Sequence, residues 1–365
     1  MTRRSIKILT LLLTIIMLGS FSAAAVILVK SKNLTIVKQN VDQEMVFSYM
    51  SRIKNIYIKT SDADIRIRKT KDVSLMARLR GRITGRQPDE MPRMEIREEE
   101  GQLTIEVKKP YSFPAGPSSQ ITNGYLMLEI DIPDTYISNV KARTTSGNLV
   151  LGPMHVNNLQ LHTDSGDIQT QKLIAFNTLN IRTSSGAIQS QDMRAQSIEI
   201  RTQSGDAEMQ LVAAEDTARI QSVSGDVEIE KLTANKLIYQ TTSGDLKGGR
   251  FFTQETDLNG ISGNIKIEHM AGNLDFMMDS GDISVMYAPL DGNIQGKTSS
   301  GKVEINLSPD AEFEIKARTT SGTILCPFSV ERGGKEDPKR LNGTVGDPDY
   351  RLKIDTISGD IYLWK

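Results

Sequence analysis

Aspartate follows a Ser-Gly pair six times, at Asp167, Asp206, Asp226, Asp245, Asp282 and Asp360, and asparagine follows it twice, at Asn148 and Asn264. A column of carboxylates at a fixed repeat could hold calcium, a hard cation that gathers several oxygen ligands. The calcium-binding β-rolls that do this use paired Gly-Gly-x-Gly nonapeptides, and none occurs here. Asp and Asn also favour turns, because their side chains bond the nearby backbone. Carboxylates stacked about 4.8 Å apart repel by only about 0.9 kcal/mol in water. Turn chemistry therefore accounts for the column, and no metal is expected.

A second series is basic. Three residues before successive Ser-Gly serines stand Arg143, His162, Arg182 and Arg201, after which the position turns neutral at Gln221, Gln240 and Asn259. Stacked, the four would form a stripe of positive potential suited to anionic lipid head groups or wall polymers. Glu199 and other acids beside them would relieve it. Gly292-Asn293-Ile294-Gln295-Gly296-Lys297-Thr298 resembles a phosphate loop, but three residues separate its glycines where four are required. There is no Gly-x-Ser-x-Gly elbow and no His-Glu-x-x-His. His155 and His269 have no evident partners, and the one cysteine, Cys326, rules out an internal disulfide. No cofactor and no enzymatic activity are expected.

The frame for both series is a repeat. Ser-Gly recurs with its glycine at Gly147, Gly166, Gly186, Gly205, Gly225, Gly244, Gly263, Gly281, Gly301, Gly322 and Gly359. The first nine intervals run from 18 to 21 residues and the last is 37, close to two periods. Residues of inward parity alternate with outward ones on both sides of each pair, as Leu161 and Thr163 before Ser165 and Ile168 after it. Period 2 is the signature of half-buried strands. The inward parity changes across Ser-Gly, so one extra residue is inserted there. Glycine at such a corner is expected to take φ > 0. A coil of about 19 residues is too short for a propeller blade, and helical periodicity is absent. The fold class expected is all-β: a β-solenoid with an N-terminal β cap, preceded by one transmembrane helix. Its 140–326 section would be a rod of roughly 45 Å.

The domain organisation follows. Arg3, Arg4 and Lys7 precede an uncharged run of 22 residues, Ile8 to Val29. As a helix it spans roughly 33 Å, enough for a bilayer core. Residues 1–30 are therefore expected to be a retained anchor. The competing reading is a signal peptide cleaved near Ala23 and Ala25. Either places the rest outside the cytoplasm. A linker at 31–50 leads to a cap at 51–139, where Asp62-Ala63-Asp64-Ile65 is a degenerate repeat copy. The solenoid occupies 140–365, with an exposed loop inserted at 327–350, in which Asn342-Gly343-Thr344-Val345 is read as a decayed corner. Cys326 has inward parity and is expected to be buried. With 44 basic and 45 acidic residues the net charge is −1, which leaves no footprint for nucleic acid.

Repeated units such as Thr163-Asp164-Ser165-Gly166-Asp167-Ile168, and the terminal Thr356-Ile357-Ser358-Gly359-Asp360-Ile361, resemble one bacterial family. It is the "putative adhesin" family of unknown function, also called the toastrack β-repeat domain, and the resemblance covers about residues 50–365. Ala187, Lys302 and Thr323 depart from its usual aspartate. The resemblance implies a LiaG-like membrane-anchored member and, as partners, membrane proteins of envelope-stress signalling of the phage-shock or LiaG type. It supplies no catalytic residues. The function expected is a cell-membrane, single-pass, extracytoplasmic β-repeat scaffold or binding protein. The alternatives are an adhesin-like surface protein and a β-helix polysaccharide-active enzyme, although the near-constant coil length leaves no loops to wall a substrate groove.

Overall fold

The computed structural model describes residues 37–85, 92–108, 124–332 and 337–365. The expected anchor at 1–30 lies outside the described residues, as do 31–36 of the expected linker. The rest of 31–50 is not a plain linker, because it holds the strand Val37–Phe47. Among the described residues no helix is long and apolar enough to cross a membrane.

The chain forms two compact units. The smaller comprises Met1–Val41, Gly81–Pro92 and Lys109–Tyr125. Its described segments 37–41 and 81–85 are extended, and Arg82 Nε donates to Asn40 Oδ1 at 3.4 Å. The larger comprises Asp42–Arg80, Arg93–Lys108 and Leu126–Lys365, and it is a β-solenoid.

Within the solenoid each coil runs from the third residue after one Ser-Gly serine to the second before the next. The strands Ile168–Thr183, Ile188–Thr202, Ala207–Ser222, Val227–Thr241 and Leu246–Gly260 show this. Neighbouring coils pair parallel and in register, placing Ile168, Ile188, Ala207, Val227, Leu246 and Ile265 in one column. Such inward aliphatic side chains are buried almost completely, each worth about 1.5–3 kcal/mol against an exposed reference. Most neighbouring coils show a register slip in mid-strand, for example between Ala195 and Ser197, whereas Val227–Thr241 and Leu246–Gly260, a constant 19 residues apart, pair without one. These slips absorb the difference between 19- and 20-residue intervals, so the column after the corner and the column before the next one both stay aligned.

The two ends of the solenoid are threaded alike. Asn55–Lys59 pairs in parallel with both Gln102–Lys108 and Asn139–Thr144, so this early strand lies between two later ones. At the other end Tyr350–Thr356 inserts between Ile294–Thr298 and Phe313–Thr319. Ile361–Trp364 likewise lies between Val303–Leu307 and Ile324–Leu325. Outside these, Arg93–Glu99 pairs antiparallel with Gln102–Lys108, and Arg340–Val345 antiparallel with Phe313–Thr319. Antiparallel strands thus cover the open edges that a parallel stack would present. This corrects the reading of 327–350 as a loop. It contains the strands Glu331–Arg332 and Arg340–Val345, and Asn342 and Gly343 lie within the second of these rather than at a corner. Lys316 opposite Asn342 and Ile315 opposite Gly343 supply the pairing that sequence periodicity could not reveal. Cys326 is half-buried, not enclosed, because it follows the last residue of the two-residue strand Ile324–Leu325.

Candidate functional site

The corner column comes first, because it positions everything else. A Cβ built on Gly166 would fall 1.9 Å from the Gly147 carbonyl oxygen, on Gly186 1.8 Å from that of Gly166, and on Gly225 2.0 Å from that of Gly205. The contact continues coil by coil through Gly205, Gly244, Gly263, Gly281 and Gly301, then to Gly359 and finally Gly322. Ala63 heads the column: its carbonyl would be 2.1 Å from a Cβ on Gly147. Glycine is required here for close approach of backbones. Positive φ is confined to Gly263, Gly281 and Gly301, at 119°, 112° and 110°. For the other corners the expectation of φ > 0 does not hold.

The inward hydroxyl two residues before the serine follows the difference at most corners. The exceptions are Gly205 and Gly225, where Thr202 and Ser222 donate to the glycine's own carbonyl and φ is still not positive. Thr163 Oγ1 accepts the Gly166 N–H at 2.9 Å and donates to the Gly147 carbonyl at 3.2 Å. Thr144, Thr183, Thr241, Thr319 and Thr356 accept from their corner glycines in the same way. Before Gly263 and Gly281 the position holds Gly260 and Met278, which have no hydroxyl, and Thr298 before Gly301 donates to the Ser300 carbonyl instead.

The aspartate column is a ladder between coils. Asn148 Oδ1 accepts the Asp167 N–H at 2.8 Å, and Asp167 Oδ1 accepts the Ala187 N–H at 2.9 Å. It restarts at Asp206 and passes through Asp226, Asp245, Asn264 and Asp282 to the N–H of Lys302. Asp360 accepts the Thr323 N–H at 2.7 Å. Ala187, Lys302 and Thr323 therefore receive a bond through the backbone and need no carboxylate of their own. One oxygen of each accepting side chain is committed to its neighbour. Among the described residues no group of three His, Cys, Asp or Glu side chains could hold a metal ion.

The four basic residues share one column: Arg143 faces His162, His162 faces Arg182, and Arg182 faces Arg201. Acids are interleaved. Arg182 Nη2 lies 2.9 Å from Glu199, which Arg201 also pairs, and Asp164 lies 2.9 Å from His162 and 4.0 Å from Arg143. Burial pushes the Glu199 carboxyl up, but the bond from Arg182, the Arg201 charge and the Asn180 amide outweigh it and hold the group below the ordinary carboxylate range.

A concavity lies elsewhere among the described residues, on the outward face of the strands that follow the corners. It is an open groove of about 1130 Å³. Its floor carries Gln169 and Gln171 from one coil, Gln189 and Gln191 from the next, and Gln210 from the third. In-register pairing sets Val150 beside Gln169, Gln169 beside Gln189, Gln189 beside Glu208, and Glu208 beside Glu228. All five glutamines are exposed. Between them the inward Thr170 and Ser190 hydroxyls bond each other at 2.8 Å. At one end Arg66 pairs with Glu129 and Arg68 with Asp131. Lys69, whose ammonium burial lowers against the pull of Asp134, donates to the carbonyls of Pro133 and Tyr136. At the other end lie Glu208, Glu228 and Glu230. The groove escaped the sequence analysis, yet it left a signal there: Ile168-Gln-Thr-Gln171 and Ile188-Gln-Ser-Gln191 repeat one pattern at one phase of the grid.

The remaining candidates are structural. Gly296, within the phosphate-loop look-alike, lies on the strand Ile294–Thr298. His155 stacks on Phe176 with ring centroids 4.7 Å apart, and His269 on Phe252 at 5.7 Å.

Parallel coils, a glycine corner column and threonine and aspartate ladders together define a β-solenoid repeat scaffold. The chain belongs to the Toastrack DUF4097 family, whose family model matches residues 53–222 and 197–363. No curated protein matches it. Among solved structures it is similar to a "putative adhesin" from Parabacteroides distasonis, at 14% identity over 75% of this chain and 98% of that chain, TM-score 0.40. It is also similar to a "putative lipid binding protein" from the same species, at 15% over 73% and 96%, TM-score 0.39. A third is a "putative cell adhesion protein" from Clostridium sporogenes, at 10% over 88% and 99%, TM-score 0.27.

Proposed function

We propose that this chain is a membrane-anchored extracytoplasmic scaffold that binds an extended ligand along the groove of its solenoid, without catalysis. The observation that carries the reading is the run of exposed, in-register polar side chains on the groove floor, a surface that repeats at the coil spacing. A stack of this kind presents the same side chain at regular intervals, which suits a ligand that is itself a repeat. The uncharged run at 8–29 supports attachment to the membrane through the N-terminus. The family resemblance adds envelope-stress membrane proteins as partners of the anchored form. The test is sedimentation of the full-length chain, reconstituted in nanodiscs, with protein-free cell-wall material. Pelleting with the wall and no release of new reducing ends is expected. A chain that stays in the supernatant ends the reading.

A second reading is favoured by the basic column. With Lys141 beside them, Arg143, Arg182 and Arg201 outnumber the acids Asp164 and Glu199 that they meet. The surplus would hold anionic lipid or wall polymer at low salt and release it at high salt. Changing Arg143, Arg182 and Arg201 to glutamine should abolish salt-sensitive binding to phosphatidylglycerol vesicles. Equal binding by both forms overturns this reading.

A further inference from the structure

We infer that the glutamine groove is a binding site for an uncharged, hydroxyl-rich polysaccharide lying across the coils; this rests on the scaffold reading above and names its ligand class. Four observations carry it.

The first is free hydrogen-bonding capacity. Each amide offers one carbonyl acceptor and two N–H donors. None of Gln169, Gln171, Gln189, Gln191 and Gln210 has a side-chain partner among the described residues. Stacked amides elsewhere do find partners: Gln221 and Gln240, neighbours in the basic column, bond each other, and Asn158 bonds Asn139 at 2.7 Å. The groove amides therefore face solvent with donors and acceptors together. A sugar hydroxyl, which is also both donor and acceptor, satisfies such a group in either orientation.

The second is spacing. In-register parallel strands repeat every ~4.8 Å, so the face from Arg66 to Glu228, five steps, is roughly 24 Å long. The rise per sugar of an extended β-linked hexose chain is close to one step, so alternate sugars, which share one orientation, would meet amides two coils apart, as Gln171 and Gln210 are.

The third is charge. The cations at one end are already held, Arg66 by Glu129, Arg68 by Asp131, and Lys69 by the carbonyls of Pro133 and Tyr136. Glu208, Glu228 and Glu230 at the other end have no side-chain partner among the described residues. They repel a polyanion, which separates this site from the basic column.

The fourth is the state of the backbone. The strands beneath the groove are paired on both sides, Ile168–Thr183 by its two neighbours and Ile188–Thr202 likewise. No strand edge is open there for a peptide to extend the sheet. Recognition falls to side chains alone. The floor has no aromatic ring, so each sugar contributes little and affinity must accumulate along the chain.

The probes are cellohexaose and N-acetylchitohexaose, with the corresponding disaccharides, hexagalacturonate and a hexaglutamine peptide, titrated calorimetrically against the full-length chain in nanodiscs. At least one neutral hexasaccharide should bind, its disaccharide should bind at least tenfold more weakly, and the anionic and peptide probes should not bind. The triple variant Gln169→Ala, Gln189→Ala, Gln191→Ala should lose at least tenfold in affinity with an unchanged melting temperature. A second variant, Gln189→Glu, should also weaken binding by removing donors while keeping the shape. Failure of both neutral hexasaccharides to bind overturns the inference, as does equal binding by wild type and triple variant, or binding of the peptide as tightly as the sugar. If wild type and triple variant pellet equally with wall material, a wall-binding scaffold remains but its binding surface is not the glutamine groove. If neither pellets, the scaffold reading itself has failed.

Discussion

Gly296 makes room for Phe276: a Cβ on the glycine would sit 1.8 Å from the ring's Cζ. The two face each other in adjacent coils, on the strands Ile265–Met278 and Ile294–Thr298. The same exchange joins Gly260 to Met278, whose sulfur would be 2.6 Å from a Cβ on the glycine. Interior volume is thus conserved across neighbouring coils, not within each one. Phe276→Ala alone should cost about 3–5 kcal/mol by opening a cavity. Gly296→Leu alone should be at least as costly by overpacking. Together they should recover at least about 1 kcal/mol relative to their sum. Strictly additive effects on chemical denaturation would show that the two sites are not coupled.

The corner column predicts that alanine, the smallest possible addition, is already too large. Gly225→Ala should cost more than about 3 kcal/mol, well above the usual mutational effect, because its Cβ meets a backbone carbonyl that cannot move without shifting two coils. Gln203→Ala, at the exposed position just before Ser204, should be within about 0.5 kcal/mol of neutral. Comparable melting temperatures for the two variants would refute the close-approach account.

The threonine ladder predicts a hydroxyl dependence without a volume change. Thr183 is buried, and its Oγ1 accepts the Gly186 N–H at 3.0 Å. Thr183→Val keeps the shape and leaves that N–H without a partner, a loss of about 1–3 kcal/mol. Thr183→Ser keeps the bond and should lose less than the valine variant. Urea midpoints for the pair give the answer directly, and a valine variant as stable as wild type would remove the ladder from the account.

Acid should weaken the basic column. The Glu199 carboxyl is held below its ordinary range in the folded chain. Its contribution to stability is therefore complete above the unfolded-state carboxylate pKa and is lost as pH falls through the lower folded value. Glu199→Gln should reduce the melting temperature at neutral pH. The gap between variant and wild type should close at acidic pH. A pH-independent gap would mean that packing, not charge, is what the substitution removes.

Topology is checked at the other terminus. Lys365 is exposed. In a Cys326→Ser background, Lys365→Cys should react with a membrane-impermeant maleimide on intact cells. Full-length mass in the membrane fraction is the expected companion result. Loss of roughly the first 25 residues would instead indicate cleavage at the small-residue site.

Much of the solenoid is legible along the chain because parallel stacking is a one-dimensional problem. A coil meets only its neighbours, so positions one repeat apart must satisfy the same environment. That is why Leu161, Ile181, Ile200 and Ile220 recur at one phase and why the basic residues from Arg143 to Arg201 can be placed in a column from spacing alone. The glutamines of the groove obey the same grid. They carry no mark of a site in the sequence, because outward polar residues at period 2 are what any solvated strand shows, and nothing in their types marks which outward face is concave.

The strand period, the coil length and the position of the Ser-Gly corners can be read along the chain, since they depend on local alternation and on a glycine at a fixed offset. The corner read at Asn342-Gly343 lacked that Ser-Gly pair and proved to be strand. Tertiary structure decided what the glycine is for. Whether a missing Cβ serves a left-handed φ, as at Gly263, or the approach of another backbone, as at Gly166, depends on atoms one coil away. It also decided the order of coils at the ends, where Tyr350–Thr356 enters between two coils made earlier. Pairing between parallel strands is specified by matching faces, not by closeness in sequence, so a final segment with the right alternation can enter wherever its neighbours leave two edges open.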